Sequence, residues 1–221
     1  MDQPRIIFED KNLLVVDKPS GWTVDVLRDW LKANYDYPIS KQYSLRSGIV
    51  HRLDKETSGV ILVAKTASVF EQLQKEFADR EVKKTYIALA HGKVEPEKGL
   101  IDAPVGRLPW KRTKFGVLDE GRPAQTGYEV VKTYPDFTLL KLFPKTGRTH
   151  QIRVHLKHIG HSIVSDPLYA GRKTNRQDRK WCPRLFLHAS EISFKHPVTK
   201  KEQLVRSELP SDLQISLENI S

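Results

Sequence analysis

The chain has 221 residues, 38% of them hydrophobic and four of them Trp, which is enough to build a sizeable core and excludes a disordered segment. Lys and Arg number 37 against 27 Asp and Glu, and the formal net charge of +10 makes a polyanion, nucleic acid first, the natural partner. A single cysteine, Cys182, excludes an internal disulfide framework and a Cys-rich zinc site. No stretch approaches a membrane span and no basic-then-apolar leader opens the chain, so a reducing cytoplasm is the expected compartment.

In chain order, residues 6–8, a polar turn at 9–12 and an apolar run at 13–16 read as strand, turn, strand. Lys18-Pro19-Ser20-Gly21 breaks that run. Val26, Leu27, Trp30 and Leu31 then follow at helical spacing, with Asn34 placed to close the helix. Residues 35–48 read as loop. Residues 49–53 lead to Asp54 at an expected strand end, and 60–64 carry the pattern of a buried strand. Phe70, Leu73 and Phe77 mark one face of an amphipathic helix. Strands are expected at 85–90 and 100–103, and a strand pair at 128–133 and 137–143 around Tyr134-Pro135-Asp136.

Residues 149–160 fit two periods. Ile152, Val154 and Leu156 alternate as in a strand, whereas Ile152, Leu156 and Ile159 form a helical stripe that Gly160 can cap. The helix is preferred, because it gathers His150, Arg153 and Lys157 on its other face. Residues 171–184 read as a basic loop, 185–194 as the last strand, and the tail after residue 209 as peripheral. No internal repeat and no long linker appears. Strands and helices mix without βαβ alternation, so the expected fold is α+β with a mostly antiparallel sheet, folded as one domain over 1–221.

Two segments carry chemistry. In HRLDKETSG (51–59), Asp54 is either a carboxylate held at a cleft or a surface residue opening an Asx-turn. In PKTGRTHQIRVH (144–155), Lys145, Arg148, His150, Arg153 and His155 crowd into twelve positions. Thr146-Gly147 or Thr149 is expected to start the helix, so that backbone donors and guanidinium groups meet an anion, either phosphate or Asp54 itself. Lys83 and Lys84 stand beside Tyr86, whose ring suits stacking on a nucleobase or packing in a core. His161 and His196 have no metal-ligand spacing, and no Walker loop, dinucleotide fingerprint or HExxH occurs, so neither metal nor cofactor is expected.

Together and in order, the segments FEDKNLLVVDKPSGW, HRLDKETSGVILVAK, KKTYIALAHG, GRPAQTGYEV, PKTGRTHQIRVHLKHIGHSIVSDPLYAG and RLFLHASEISFKHPVT resemble the RluA family of RNA pseudouridine synthases. The resemblance runs from about residue 5 to about 206. One departure is Ser165, where the family usually has Gly before Asp-Pro, and a local loop change is expected there. The resemblance implies a mixed, mostly antiparallel sheet in two halves flanking a central RNA-binding cleft. It also implies a catalytic domain without the N-terminal RNA-binding module that many members carry.

By the same resemblance, Asp54 is the catalytic carboxylate, Arg153 the arginine paired with it, and Tyr86 the aromatic that stacks on the uracil. Arg52 is expected to hold the target nucleotide out of its stack. Arg148, Lys83, Lys84, Lys145 and His150 are expected on the RNA side, mostly at phosphates. The implied partner is a stem-loop of ribosomal or transfer RNA, with no DNA and no membrane, and a monomer is expected. Two other readings compete. One is a non-catalytic RNA-binding protein on the same scaffold. The other is a glycoside hydrolase using Asp54 and Glu56 as paired acids, a poor pair because two residues so close on one short segment are badly placed to flank a glycosidic bond from opposite sides.

Overall fold

The computed structural model describes residues 2–220. It contains eleven strands and five α-helices among those residues: β1 (Arg5–Glu9), β2 (Leu13–Lys18), α1 (Val24–Asn34), β3 (Ser58–Ala64), α2 (Ala67–Ala78), β4 (Lys83–His91), β5 (Lys98–Asp102), β6 (Val105–Arg107), β7 (Phe115–Val117), β8 (Gln125–Thr133), β9 (Phe137–Pro144), α3 (Gln151–His158), α4 (Arg172–Asp178), β10 (Leu187–Lys195), β11 (Glu202–Arg206) and α5 (Ser211–Glu218). The chain divides into two compact units. One takes the residues up to Lys84 with Ala189–Glu208, the other Thr85–His188 with the segment from Leu209 onward.

In the first unit the strand order is β1-β2-β3-β10, with β11 on β10. The pairings β1·β2, β2·β3 and β10·β11 are antiparallel. The first hairpin closes on Asp10, whose Oδ1 accepts the N–H groups of Asn12 (2.7 Å) and Leu13 (2.9 Å). β3 is buried along its whole length, which is why SGVILVA lacks polar alternation. Gly59, its second residue, lies at φ +114°, where a Cβ would lie 2.1 Å from the Ala189 carbonyl oxygen, so only glycine fits. Thr23 caps α1 and Thr66 caps α2 through their side-chain oxygens. α1 buries Leu27 and Leu31, and α2 buries Val69, Phe70 and Leu73.

In the second unit the order is β4-β9-β8-β5, and β6–β7 form a separate hairpin, all antiparallel. This is the mixed α+β, mostly antiparallel arrangement that the sequence predicts. The 149–160 ambiguity resolves as the helix α3. Its N-cap is His150 in the left-handed region (φ +57°), not Thr146, Gly147 or Thr149, and it makes no side-chain cap bond. Gly147 has nothing within 4 Å of its would-be Cβ, so close approach is not its reason.

The stretch read as a basic loop contains the helix α4. It has no apolar stripe to announce it. Its last residue, Asp178, is buried, accepts from the Ser165 backbone N–H (2.9 Å), and pairs with His91 (3.0 Å). Two further elements were not foreseen. β11 buries only Val205, as an edge strand does, and α5 buries Leu213 beside an Asp212–Arg184 ion pair. No helix among the described residues is long and apolar enough to cross a membrane.

Candidate active site

Asp54 lies in the loop that precedes β3 and not at a strand end: residues 50–57 form no strand, because before them only Ile49 pairs, in an isolated bridge to Val63. The Val50 N–H donates to the Leu62 carbonyl (3.4 Å), and the Thr57 N–H donates back to the Asp54 carbonyl (3.2 Å), turning the chain into β3. The loop is braced from behind by the KPSG segment. Lys18, with no exposed surface, donates from Nζ to the carbonyls of Pro19 (2.9 Å), Trp22 (2.9 Å) and Lys55 (3.4 Å). Ser20 Oγ donates to the Glu56 carbonyl (2.8 Å) and the Gly21 N–H to the Lys55 carbonyl (2.8 Å). The two carbonyls immediately after Asp54 are thus tied to a second chain segment, and the carboxylate stands on a fixed backbone.

The basic groups around that loop are not alike. Arg52 and Lys83 are exposed. Lys84 is half-buried with Nζ 5.8 Å from the Phe77 ring centroid, and burial lowers its pKa. His51 is neutral: its Nε2 accepts the Leu62 N–H at 2.9 Å and its ring stacks on Phe77 at 4.8 Å. Burial, and secondarily the Lys84 cation, push its pKa down to about 3. Lys84 therefore packs against an aromatic wall, while Arg52 and Lys83 reach solvent.

In the second unit, α3 presents Arg153 inward, 4% exposed. Nε donates to Asp166 Oδ2 (2.8 Å) and Nη2 to Asp166 Oδ1 (2.8 Å), a bidentate pair that the sequence does not announce. The guanidinium carbon lies 5.1 Å from the Tyr169 ring centroid. Tyr169 Oη accepts the Phe115 N–H (3.0 Å) and shares a hydrogen bond with His150 Nδ1 (2.9 Å). Thus His150 and Arg153 do come together, through Tyr169, but His150 packs in an aromatic corner with Phe115 and Tyr169.

The rest of the TGRTHQIR segment is ordered by Gln151. Its Oε1 accepts from Thr146 Oγ1 (2.6 Å) and the Arg148 N–H (3.0 Å), and its Nε2 donates to the Gln125 carbonyl (2.9 Å) and Thr126 Oγ1 (3.0 Å). His155, fully buried, bridges Thr126 Oγ1 and the Ala103 carbonyl, both at 2.9 Å, and burial lowers its pKa. Arg148 is half-buried and donates from Nε to the Pro123 carbonyl (3.1 Å); Lys145 is exposed. Tyr86 is 9% exposed on β4, opposite Leu142 of β9. Among the described residues no group of three or more His, Cys, Asp or Glu is placed to hold a metal ion.

Residues 12–158 match the family model described as RNA pseudouridylate synthase. The chain belongs to the RNA pseudouridylate synthase family. It is 39% identical over 224 residues to the ribosomal large subunit pseudouridine synthase D of Nitrosomonas europaea, covering 98% of this chain and 65% of that protein. It is 41% identical over 208 residues to an uncharacterized RNA pseudouridine synthase of Chloroflexus aurantiacus, covering 94% of this chain and 64% of that one. The chain therefore spans just under two thirds of the length of these two curated relatives. Among solved structures it resembles human RNA pseudouridylate synthase domain containing 4, with a TM-score of 0.77, 27% identity, and coverage of 97% of this chain and 92% of that one.

The part of this family member that matches the model holds Asp54, Tyr86 and Arg153 and stops before Asp166 and Tyr169. Sequence reasoning missed those two as well as Lys18, Thr126 and Gln151. Each stands beside a residue that was singled out, but the only signal was adjacency: a buried hydrogen-bond partner has no periodicity of its own. Ser165, the departure from the family pattern, takes φ +57°, a backbone region that glycine enters without strain. Its Oγ donates to the Cys182 carbonyl (2.6 Å).

Proposed function

We propose that the protein is an RNA pseudouridine synthase with Asp54 as its catalytic carboxylate. The observation that carries this reading is the family match over residues 12–158, a span that includes both HRLDKETSG and TGRTHQIR. The buried Arg153 and the doubly braced Asp54 loop support it, since both place an ionic side chain on a fixed frame.

The reaction breaks the bond between C1′ and N1 of uridine, turns the uracil, and forms a bond between C1′ and C5. C5 loses its proton, N1 ends protonated, and no redox change occurs. A carboxylate can serve by attacking C1′, by removing a sugar proton, or by adding to the uracil ring. Arg153 supplies a permanently charged guanidinium that keeps the reacting carboxylate ionised. Tyr86 supplies the aromatic face against the uracil, and Arg52 holds the target nucleotide out of its stack. Arg148, Lys83, Lys145, Lys84 and His150 form the RNA-binding set, with the exposed Lys83 and Lys145 the strongest phosphate contacts. The enzyme is cytoplasmic and monomeric in this reading, acting on a stem-loop of ribosomal or transfer RNA. The name of the Nitrosomonas relative makes large-subunit ribosomal RNA the first RNA to assay.

The deciding experiment is Asp54→Asn. The variant is expected to fold, to bind RNA and to form no pseudouridine, read as tritium release from RNA labelled at uridine C5. Retained turnover removes Asp54 from its role. Mapping pseudouridines in RNA from cells with and without the gene identifies the target uridine.

A further inference from the structure

Asp166 and Tyr169 lie beyond the span of the family match, yet they surround the one guanidinium assigned to the chemistry. Asp166 has no exposed surface and Arg153 is 4% exposed. The carboxylate takes the Nε–Nη2 edge of the guanidinium in a two-point fork. A fork fixes the plane as well as the position, which a single contact does not. Asp166 is itself held, because Oδ1 also accepts the N–H groups of Leu168 (2.9 Å) and Tyr169 (3.1 Å). The turn that Asp166 closes brings the Tyr169 ring beneath the same guanidinium.

Tyr169 in turn is fixed. Its ring packs in a buried cluster with Val105, Ala124 and Val154, and its hydroxyl is tied to the Phe115 backbone N–H and to His150. One side of the Arg153 fork is therefore occupied by a carboxylate, and one face by an aromatic ring, and both are locked by further bonds. Such an arrangement leaves the guanidinium little rotational freedom, so that the edge opposite the fork points in one direction only.

We propose that Asp166 is a positioning residue for the reaction, aiming the Arg153 guanidinium through the two-point fork with the Tyr169 ring as its floor. The proposal rests on the reading of Arg153 as part of the catalytic machinery. Asp166 touches neither RNA nor reacting atoms; it acts through Arg153.

The test is Asp166→Asn. The asparagine Oδ1 can still accept from Leu168, Tyr169 and Nη2, so the turn is preserved. Its Nδ2 meets the Nε–H donor head-on, so the fork is lost. We expect kcat to fall by about 100-fold, the order of loss that a misaimed group produces, with KM for transcribed large-subunit ribosomal RNA changed by less than about threefold. The Arg153 Nε–H resonance is expected to exchange slowly in the wild type and freely in the variant. Asp166→Glu, which restores a carboxylate, is expected to recover part of kcat. In an Arg153→Lys background, which already lacks the fork, Asp166→Asn is expected to cost less than about twofold more. An unchanged kcat in Asp166→Asn, or losses that multiply fully in the double variant, overturns the proposal and makes Asp166 a structural residue. Wild-type protein that makes no pseudouridine in cellular RNA overturns the enzyme reading itself, while the protected Nε–H would still stand.

Discussion

The His51 ring accepts the Leu62 backbone N–H at 2.9 Å, a bond that only the unprotonated Nε2 of this histidine, three residues before Asp54, can make. A protonated ring would turn an N–H toward an N–H. Burial and the Lys84 cation act in the same sense, holding the pKa at about 3 against an ordinary 6.5. The unfolded chain binds this proton below about pH 6.5 and the folded chain does not, so the His51 contribution to stability is present above that pH and is lost as pH falls from 6.5 toward 3. Carbon-13 NMR titration is expected to show His51 neutral at pH 5. A His51 midpoint near 6.5 would contradict the Leu62 bond.

Lys18 is the interior counterpart of that loop. A fully buried lysine is rare unless its donors are satisfied, and here three carbonyls receive them. Lys18→Met keeps the stem volume and removes the donors. The carbonyls of Pro19, Trp22 and Lys55 would then be left short of a partner, at a cost of about 3 kcal/mol, or a Tm lower by roughly 10 °C in a chain of this size. Because the Lys55 carbonyl follows Asp54 directly, kcat is expected to fall more than KM rises. Calorimetry and tritium release check both, and a variant as stable as the wild type would show that Lys18 does not brace the loop.

Much of this architecture is written in apolar spacing. Phe70, Leu73 and Phe77 announce α2, and the unbroken run Val60–Ala64 announces a strand covered on both faces, because burial follows a period that the sequence displays. α4 and β11 are invisible for the converse reason: Arg172–Asp178 has no stripe, and β11 buries one residue. In the candidate site, the charged residues stand out because HRLD and TGRTHQIR concentrate charge. Asp166 was not, since a carboxylate thirteen residues from its arginine reads as any loop Asp until the turn at Leu168 and Tyr169 brings it underneath.

Ser165 gives a test of backbone against side chain. Its left-handed conformation costs a non-glycine residue about 1 kcal/mol, and the Oγ bond to the buried Cys182 carbonyl returns about as much. Ser165→Gly removes both terms and frees the unfolded chain, so it is expected within about 1 kcal/mol of the wild type. Ser165→Ala keeps the strain and loses the bond, so it is expected about 1 kcal/mol below the wild type and no more stable than the glycine variant. Chemical denaturation measures the order, and alanine above glycine would refute the balance.

Arg153→Lys separates charge from geometry. A lysine can place a point charge near Asp166, but it cannot make the Nε and Nη2 contacts together, nor lie flat over Tyr169 as a plane. The buried Asp166 carboxylate keeps the bonds from Leu168 and Tyr169, so the turn should persist and the fold survive with a loss of about 2 kcal/mol. Catalysis is expected to suffer far more, by about 100-fold in kcat, with RNA affinity nearly unchanged because a buried group contributes little to phosphate binding. Steady-state kinetics alongside a filter-binding titration distinguishes the two quantities. Equal loss in both would place Arg153 among the RNA contacts, and near-normal kcat would mean that the reaction needs only its charge.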